Sequence, residues 1–211
     1  MKNRVLRALL LGTAIGGLVI GALPAQAATV SWTDDKDDAV GAGLPNEPGY
    51  DIQTVKLSND GGNFTWELGV PGLADGTPML STGYNFRMNF THGETAFRFA
   101  ISENILGEQT FSLAPTTGAT PVPPAALECE KCEGKIDREA KKVVFTAPLA
   151  SLDKAFKSVE APGVAGQEWT ALSVVSNRPF GIPNPGGALP VTGVVQESDE
   201  ALPPEGTTFT F

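Results

Sequence analysis

Apolar and polar residues alternate with a period of two along several stretches of the chain, the pattern of strands with one face in a core and one in water. In NFTWELGV, Phe64, Trp66, Leu68 and Val70 share one face, while Thr65 and Glu67 share the other. In YNFRMNF, Tyr84, Phe86, Met88 and Phe90 alternate with Asn85, Arg87 and Asn89. In TAFRFAI, Phe97, Phe99 and Ile101 alternate with Ala96, Arg98 and Ala100. The intervening THGE, residues 91–94, reads as a four-residue hairpin loop. That register pairs Phe90 with Thr95, Met88 with Phe97 and Phe86 with Phe99, and it keeps the aromatic side chains on one face. It also sets Arg87 opposite Arg98, a like-charge pair that needs an offset. Glu67, outward on the preceding strand, is one expected partner, and an anionic ligand is the other.

Further strands are predicted at 29–32, 51–57, 108–113, 135–137, 142–147, 169–176 and 207–211. One short helix is predicted at LASLDKAF, where Leu149, Leu152 and Phe156 fall at helical spacing. The Pro-rich stretches TTGATPVPPAA and NRPFGIPNPGG read as loops, and no internal repeat is present. Many short strands separated by turn signals predict an all-β fold, a two-sheet antiparallel β-sandwich with one short helix.

The two ends of the chain bear on where this sandwich works. Lys2, Arg4 and Arg7 precede an uncharged apolar run over residues 8–23, followed by Ala25-Gln26-Ala27. This is the layout of a Sec-type signal peptide, residues 1–27, cleaved after Ala27 to leave a single domain over residues 28–211. Cleavage removes three of 15 basic residues and no acidic ones, so 12 face 24 and the formal charge becomes −12. Such a surface repels nucleic acid and anionic membranes. No transmembrane anchor remains after cleavage, and a secreted, extracellular protein is expected. Near the other end, LPVTG, from Leu189 to Gly193, has the form of a sortase signal. The residues after it carry Glu197, Asp199, Glu200 and Glu205 with no Lys or Arg, so they supply neither an apolar span nor a basic stop, and the stretch reads as a loop entering a strand.

Candidate chemistry is sparse. His92 is the one histidine, and no G-x-S-x-G surrounds any serine, so no nucleophile–base pair is legible and no enzyme is expected. Cys129 and Cys132, in CEKC, stand among Glu128, Glu130 and Glu133, which disfavours a low-pKa thiol, and no further Cys or His cluster completes a zinc site. A structural disulfide in an oxidising compartment is the expectation. Trp66 and Trp169 read as core, whereas Trp32 and Tyr50 flank an acidic loop and are expected to be accessible. Trp32, Tyr50, Arg87 and Arg98 are therefore the candidate ligand-binding residues. The loop itself, DDKDDAV, holds Asp34, Asp35, Asp37 and Asp38, and Asp51 opens the next strand. Two readings stand: a solvated acidic loop, or a Ca²⁺ site, for which irregular oxygen geometry suffices and an EF-hand spacing is not required.

DDKDDAV, PGYDIQTVKL, the YNFRMNF to FRFAI hairpin, and CEKCEGKID followed by VVFTAPLASL appear in an order that resembles secreted bacterial β-sandwich domains related to family 9 carbohydrate-binding modules and DOMON domains. The resemblance implies an immunoglobulin-like or jelly-roll sandwich, extracytoplasmic and non-catalytic, with a structural calcium near a terminal loop. Haem-binding DOMON relatives use Met and His ligands, and the position of His92 in a tight turn does not suit that role. The resulting expectation is a binding module for a carbohydrate or another small extracellular molecule, with an extracellular glycan or cell-envelope component as partner. The alternative is a structural or adhesive envelope protein with no small-molecule ligand.

Overall fold

The computed structural model describes residues 27–39, 48–75, 83–104, 106–116, 125–182 and 191–211. The predicted leader, Leu189 and Pro190 lie outside the described residues, apart from Ala27 itself. The strands are β1 (Ala28–Thr33), β2 (Thr54–Asn59), β3 (Asn63–Gly69), β4 (Gly83–His92), β5 (Thr95–Asn104), β6 (Gln109–Pro115), β7 (Glu133–Asp137), β8 (Lys142–Pro148), β9 (Glu168–Ile182), β10 (Val191–Ala201) and β11 (Phe209–Thr210). One helix, α1 (Leu149–Lys157), follows β8 and buries Leu152, Ala155 and Phe156. Among the described residues no helix is long and apolar enough to cross a membrane.

Two antiparallel sheets form, one in the order β1-β2-β3-β8-β7 and the other β10-β9-β4-β5-β6, with β11 added beside β9. The two-sheet sandwich predicted from the alternation is therefore the fold. Inward residues of both sheets make one core, centred on Phe64, Phe90, Phe99, Phe145 and Trp169, all essentially without solvent exposure. Trp169 stacks on Phe90 at 4.1 Å between ring centroids and meets Phe64 edge-on at 4.8 Å, geometries that add to the area buried.

The β4–β5 hairpin corrects the predicted register. Its loop is the two residues Gly93 and Glu94, with His92 paired to Thr95 and Thr91 to Ala96. Gly93 takes φ +60° at the first central position, which is the type II′ arrangement whose twist matches paired strands. The ladder thus runs two residues further than expected, and a shift of two keeps every side chain on its face. Aromatic parity survives, but the partners change: Phe90 faces Phe97, Met88 faces Phe99 and Phe86 faces Ile101. Arg87 faces Ala100, and Arg98 faces Asn89, so the two arginines are diagonal neighbours and not directly opposed.

The strand expected after the LPVTG loop is β10, whose extent was not predicted. Register shifts between Thr192 and Val194 and between Glu197 and Asp199 break its alternation into pieces, leaving no sustained period of two to read. Residues 191–193 of LPVTG open this strand, paired with β9.

Candidate functional site

The acidic end of the sandwich is built from a turn and a bulge. After β1, Asp34 donates its backbone N–H to the Gln53 carbonyl oxygen at 3.2 Å, which holds the chain beside the entry to β2. Lys36 and Asp37 then form a turn in which Asp37 adopts φ +65°, a left-handed conformation that aspartate tolerates better than most residues. The Asp37 N–H donates to Asp51 Oδ1 at 3.1 Å, and Gln53 Nε2 donates to Asp51 Oδ2 at 2.7 Å. With both oxygens engaged by the protein, buried Asp51 shapes the loop. The doubled-back loop brings Asp38 to Asp34.

The third member comes from the other sheet. At the β10 bulge the strand turns Asp199 inward, leaving it 7% exposed, and Asp199 Oδ2 accepts the Ile52 N–H at 2.6 Å. Carboxylate oxygens of Asp34, Asp38 and Asp199 all lie within 4.8 Å of one another. Asp34 Oδ2 is buried with no hydrogen-bond partner among the described residues. No lysine or arginine pairs with any of the three among the described residues. Burial lifts the Asp199 carboxyl to about 7, with the charges of Asp34, Asp38 and Asp51 adding to the lift. Burial likewise takes Asp34 to about 6, aided by Asp38, Asp35 and Asp51. Asp38 is raised too, by burial first and then by Asp51 and Asp35.

These groups fit a hard divalent cation. Calcium binds oxygen at about 2.3 to 2.6 Å, so two of its ligands stand no more than about 5 Å apart, the spacing found here. An all-carboxylate set selects calcium, magnesium or manganese over softer metals. Of the five aspartates expected from the sequence, the structure brings Asp34 and Asp38 into the cluster and gives Asp51 a supporting role. Asp35 and Asp37 are exposed, with Asp37 3.9 Å from Lys36. Asp199 was missed. Its only sequence signal is an acidic pair, Asp199-Glu200, close to the apolar residues of a strand whose period is broken.

The expected accessible aromatics are corrected. Trp32 is 6% exposed and Tyr50 fully buried, so neither presents a ring face to solvent. Trp32 points the same way as Val30 in β1, toward the core, while the polar Thr29, Ser31 and Thr33 point outward. Tyr50 is fixed by donating its hydroxyl to the Gly83 carbonyl oxygen at 2.7 Å and by packing on Tyr84 at 5.2 Å.

Arg87 and Arg98 do lie together, on the outward face of β4–β6. They border a shallow depression of about 370 Å³ with Asn85, Ser102, Ser112 and Thr116. Arg87 Nε donates to Asn85 Oδ1 at 2.6 Å, and Arg98 Nε donates to Asn89 Oδ1 at 2.8 Å. The expected Glu67 partner is instead on the opposite sheet, where it accepts from Lys142 Nζ at 2.8 Å.

Cys129 and Cys132 form a close pair, their Cα atoms 5.5 Å apart, in the turn that leads into β7. His92 closes β4 with its ring buried against Phe156, and Nε2 lies 2.7 Å from the Pro162 carbonyl oxygen. An acceptor there makes Nε2 the protonated nitrogen. No family model, curated protein or solved structure matches this chain.

Proposed function

We propose that the chain is an extracellular, non-catalytic β-sandwich binding module whose acidic end takes up calcium and is locked by it. The observation that carries this reading is the convergence of Asp34, Asp38 and Asp199 within 4.8 Å, with no basic side chain paired to them among the described residues. Ionised together, three such groups repel; a dication shared among them turns that repulsion into attraction and bridges the β1–β2 loop to β10 across the two sheets. The buried Asp34 Oδ2, without a partner among the described residues, supports the reading, because a buried carboxylate oxygen without a partner costs stability unless something supplies positive charge. The leader-like first 27 residues and the close CEKC pair, read as a disulfide, support an oxidising, extracellular setting. The order of motifs, which resembles that of family 9 carbohydrate-binding modules and DOMON domains, is the reason for reading binding over catalysis.

Calorimetric titration of the exported protein with CaCl₂ and MgCl₂, after chelator treatment, tests the reading. One calcium site is expected, with a dissociation constant on the order of 10⁻⁴ to 10⁻³ M, as in other extracellular modules, and with weaker magnesium binding. Absence of binding at 10 times those concentrations, roughly 10 mM, would sink it.

A further inference from the structure

A serine occupies a core position beside the acidic end. Along β9, Val174 belongs to the hydrophobic core, and Ser176, two residues on, shares its inward face. Ser176 is paired with Phe86 of β4 on one side and with Asp199 of β10 on the other. Like Val174 and Phe86 it is 0% exposed. Its Oγ is buried with no hydrogen-bond partner among the described residues. The outward Ser173 of the same strand differs, since its Oγ accepts from Asn89 Nδ2 at 3.2 Å. A buried hydroxyl left unpaired is destabilising, and an alanine at the same place would not carry that cost.

Register aims this hydroxyl at the carboxylates. Directly opposed residues of an antiparallel pair project to the same face, their Cβ atoms about 4.5 to 5.5 Å apart. Ser176 therefore stands beside the inward Asp199 side chain, whose oxygen lies within 4.8 Å of oxygens of Asp34 and Asp38. An ion about 2.3 to 2.6 Å from each of those oxygens comes within reach of Ser176 Oγ. Charge favours an uncharged donor at this point. Three ionised carboxylates already outweigh a dication, so a fourth would add repulsion, whereas a hydroxyl oxygen adds a ligand and no charge. Calcium takes about six to eight oxygens, and on this dry side of the cluster the protein must supply them.

We propose that Ser176 Oγ is a neutral ligand to the cation held by Asp34, Asp38 and Asp199. The proposal rests on the reading of the acidic end as a calcium site and deepens it by giving the ion a ligand inside the core. It also changes what the ion holds together. Asp199 belongs to β10, at the end of its sheet, whereas β9 is flanked by β10 and β4 and carries β11 as well. Through Ser176 the loop after β1 is tied to that central strand and not only to the edge of the sandwich. The unpaired hydroxyl is then explained as a group that meets its partner when the ion binds.

The test compares the exported protein with Ser176→Ala and Ser176→Thr, each titrated with CaCl₂ and melted in excess chelator. Ser176→Ala should weaken calcium binding by about tenfold or more, the scale of effects around a bound metal. In chelator its melting temperature should stay the same or rise, because an unpaired buried hydroxyl has been removed. Ser176→Thr keeps the oxygen and should bind calcium more tightly than Ser176→Ala. Terbium, a hard luminescent stand-in for calcium, reads the ligands directly: its lifetimes in H₂O and D₂O should show more bound water in Ser176→Ala than in the parent. Parental calcium affinity in Ser176→Ala, or unchanged terbium hydration, would overturn the proposal. So would a Ser176→Ala chain that is unfolded in chelator, by showing that the hydroxyl is already paired within the protein. A parent that binds no calcium sinks the reading of the acidic end and this ligand with it, whereas equal binding by parent and Ser176→Ala sinks the ligand alone.

Discussion

Two buried carboxylates tie the same two sheets together, and the described residues neutralise only one of them. Glu103 on β5 reaches across to Arg138 in the β7–β8 turn. It accepts Arg138 Nη1 at 3.0 Å, a second bond from Nη2, and Gln109 Nε2 at 2.7 Å. Arg138 in turn lies over the Tyr84 ring, 5.3 Å from its centroid. The contact with Glu103 raises the Arg138 pKa further above its ordinary value. Asp199 on β10 is almost as deeply buried, yet it meets Asp34 and Asp38, and its one hydrogen bond from the described residues comes from the Ile52 N–H. A buried charge persists only when it is paired or hydrogen-bonded or binds a metal. The first staple is complete within the described residues; on the proposed reading a cation completes the second.

Breaking the complete staple from its cationic side should have the largest effect. Arg138→Met leaves Glu103, whose side chain is 2% exposed, without its counter-charge. The cost should be about 3 kcal/mol, the low end for a broken buried pair because Arg138 is itself partly exposed. For a chain of this size that lowers the melting temperature by roughly 6 to 12 °C. A shift under about 2 °C would mean that water or another group already compensates Glu103.

The sharper form of the comparison neutralises each carboxylate in turn. Glu103→Gln should destabilise by about 1.5 kcal/mol, because charge-assisted bonds to Arg138 become ordinary ones. Asp199→Asn, measured in chelator at pH 8, should do the opposite and stabilise by on the order of 1 kcal/mol. The amide oxygen can still accept the Ile52 N–H, while repulsion from Asp34 and Asp38 falls. Urea midpoints for the two variants that move in the same direction would erase the distinction.

A smaller effect is expected from His92, a buried titratable group with a carbonyl for a partner. Burial lowers its pKa, against the opposing pull of the Pro162 carbonyl and the charge of Asp153. A histidine whose folded pKa is depressed contributes stability above its unfolded pKa of about 6.5 and loses it as pH falls through the folded value. Stability should therefore decline between pH 7 and 5 more steeply in the parent than in His92→Gln. Parallel pH profiles would show that His92 is protonated to the same extent in the folded and unfolded states.

What could be read in advance divides along physical lines. Alternation fixes which face a residue takes, so Phe64, Trp66, Phe90 and Phe99 were legible as core from spacing alone. The same rule applied to TVSW would have put Trp32 on the face of Val30; its position next to an acidic loop pointed the other way. Register depends on turn type, and parity cannot separate a two-residue Gly93 turn from a four-residue loop. Of the acidic end, Asp34 and Asp38 were legible because they are local. Asp199 was not, because its link to Ile52 spans 147 residues and its strand bulges beside it. Glu103 and Arg138 were hidden for the same reason, an inter-sheet pairing with no local pattern.

The most direct measurement is a thermal melt of the parent protein and of Asp199→Asn, each in saturating calcium and in excess chelator at constant ionic strength. A ligand at a hundred times its dissociation constant stabilises the folded state by about 2.7 kcal/mol. For this domain size that corresponds to a rise of roughly 5 to 11 °C in the parent. The account predicts that rise in the parent and little or none in the variant. Superimposed parent curves, or an equal rise in both proteins, would contradict a calcium site completed by Asp199.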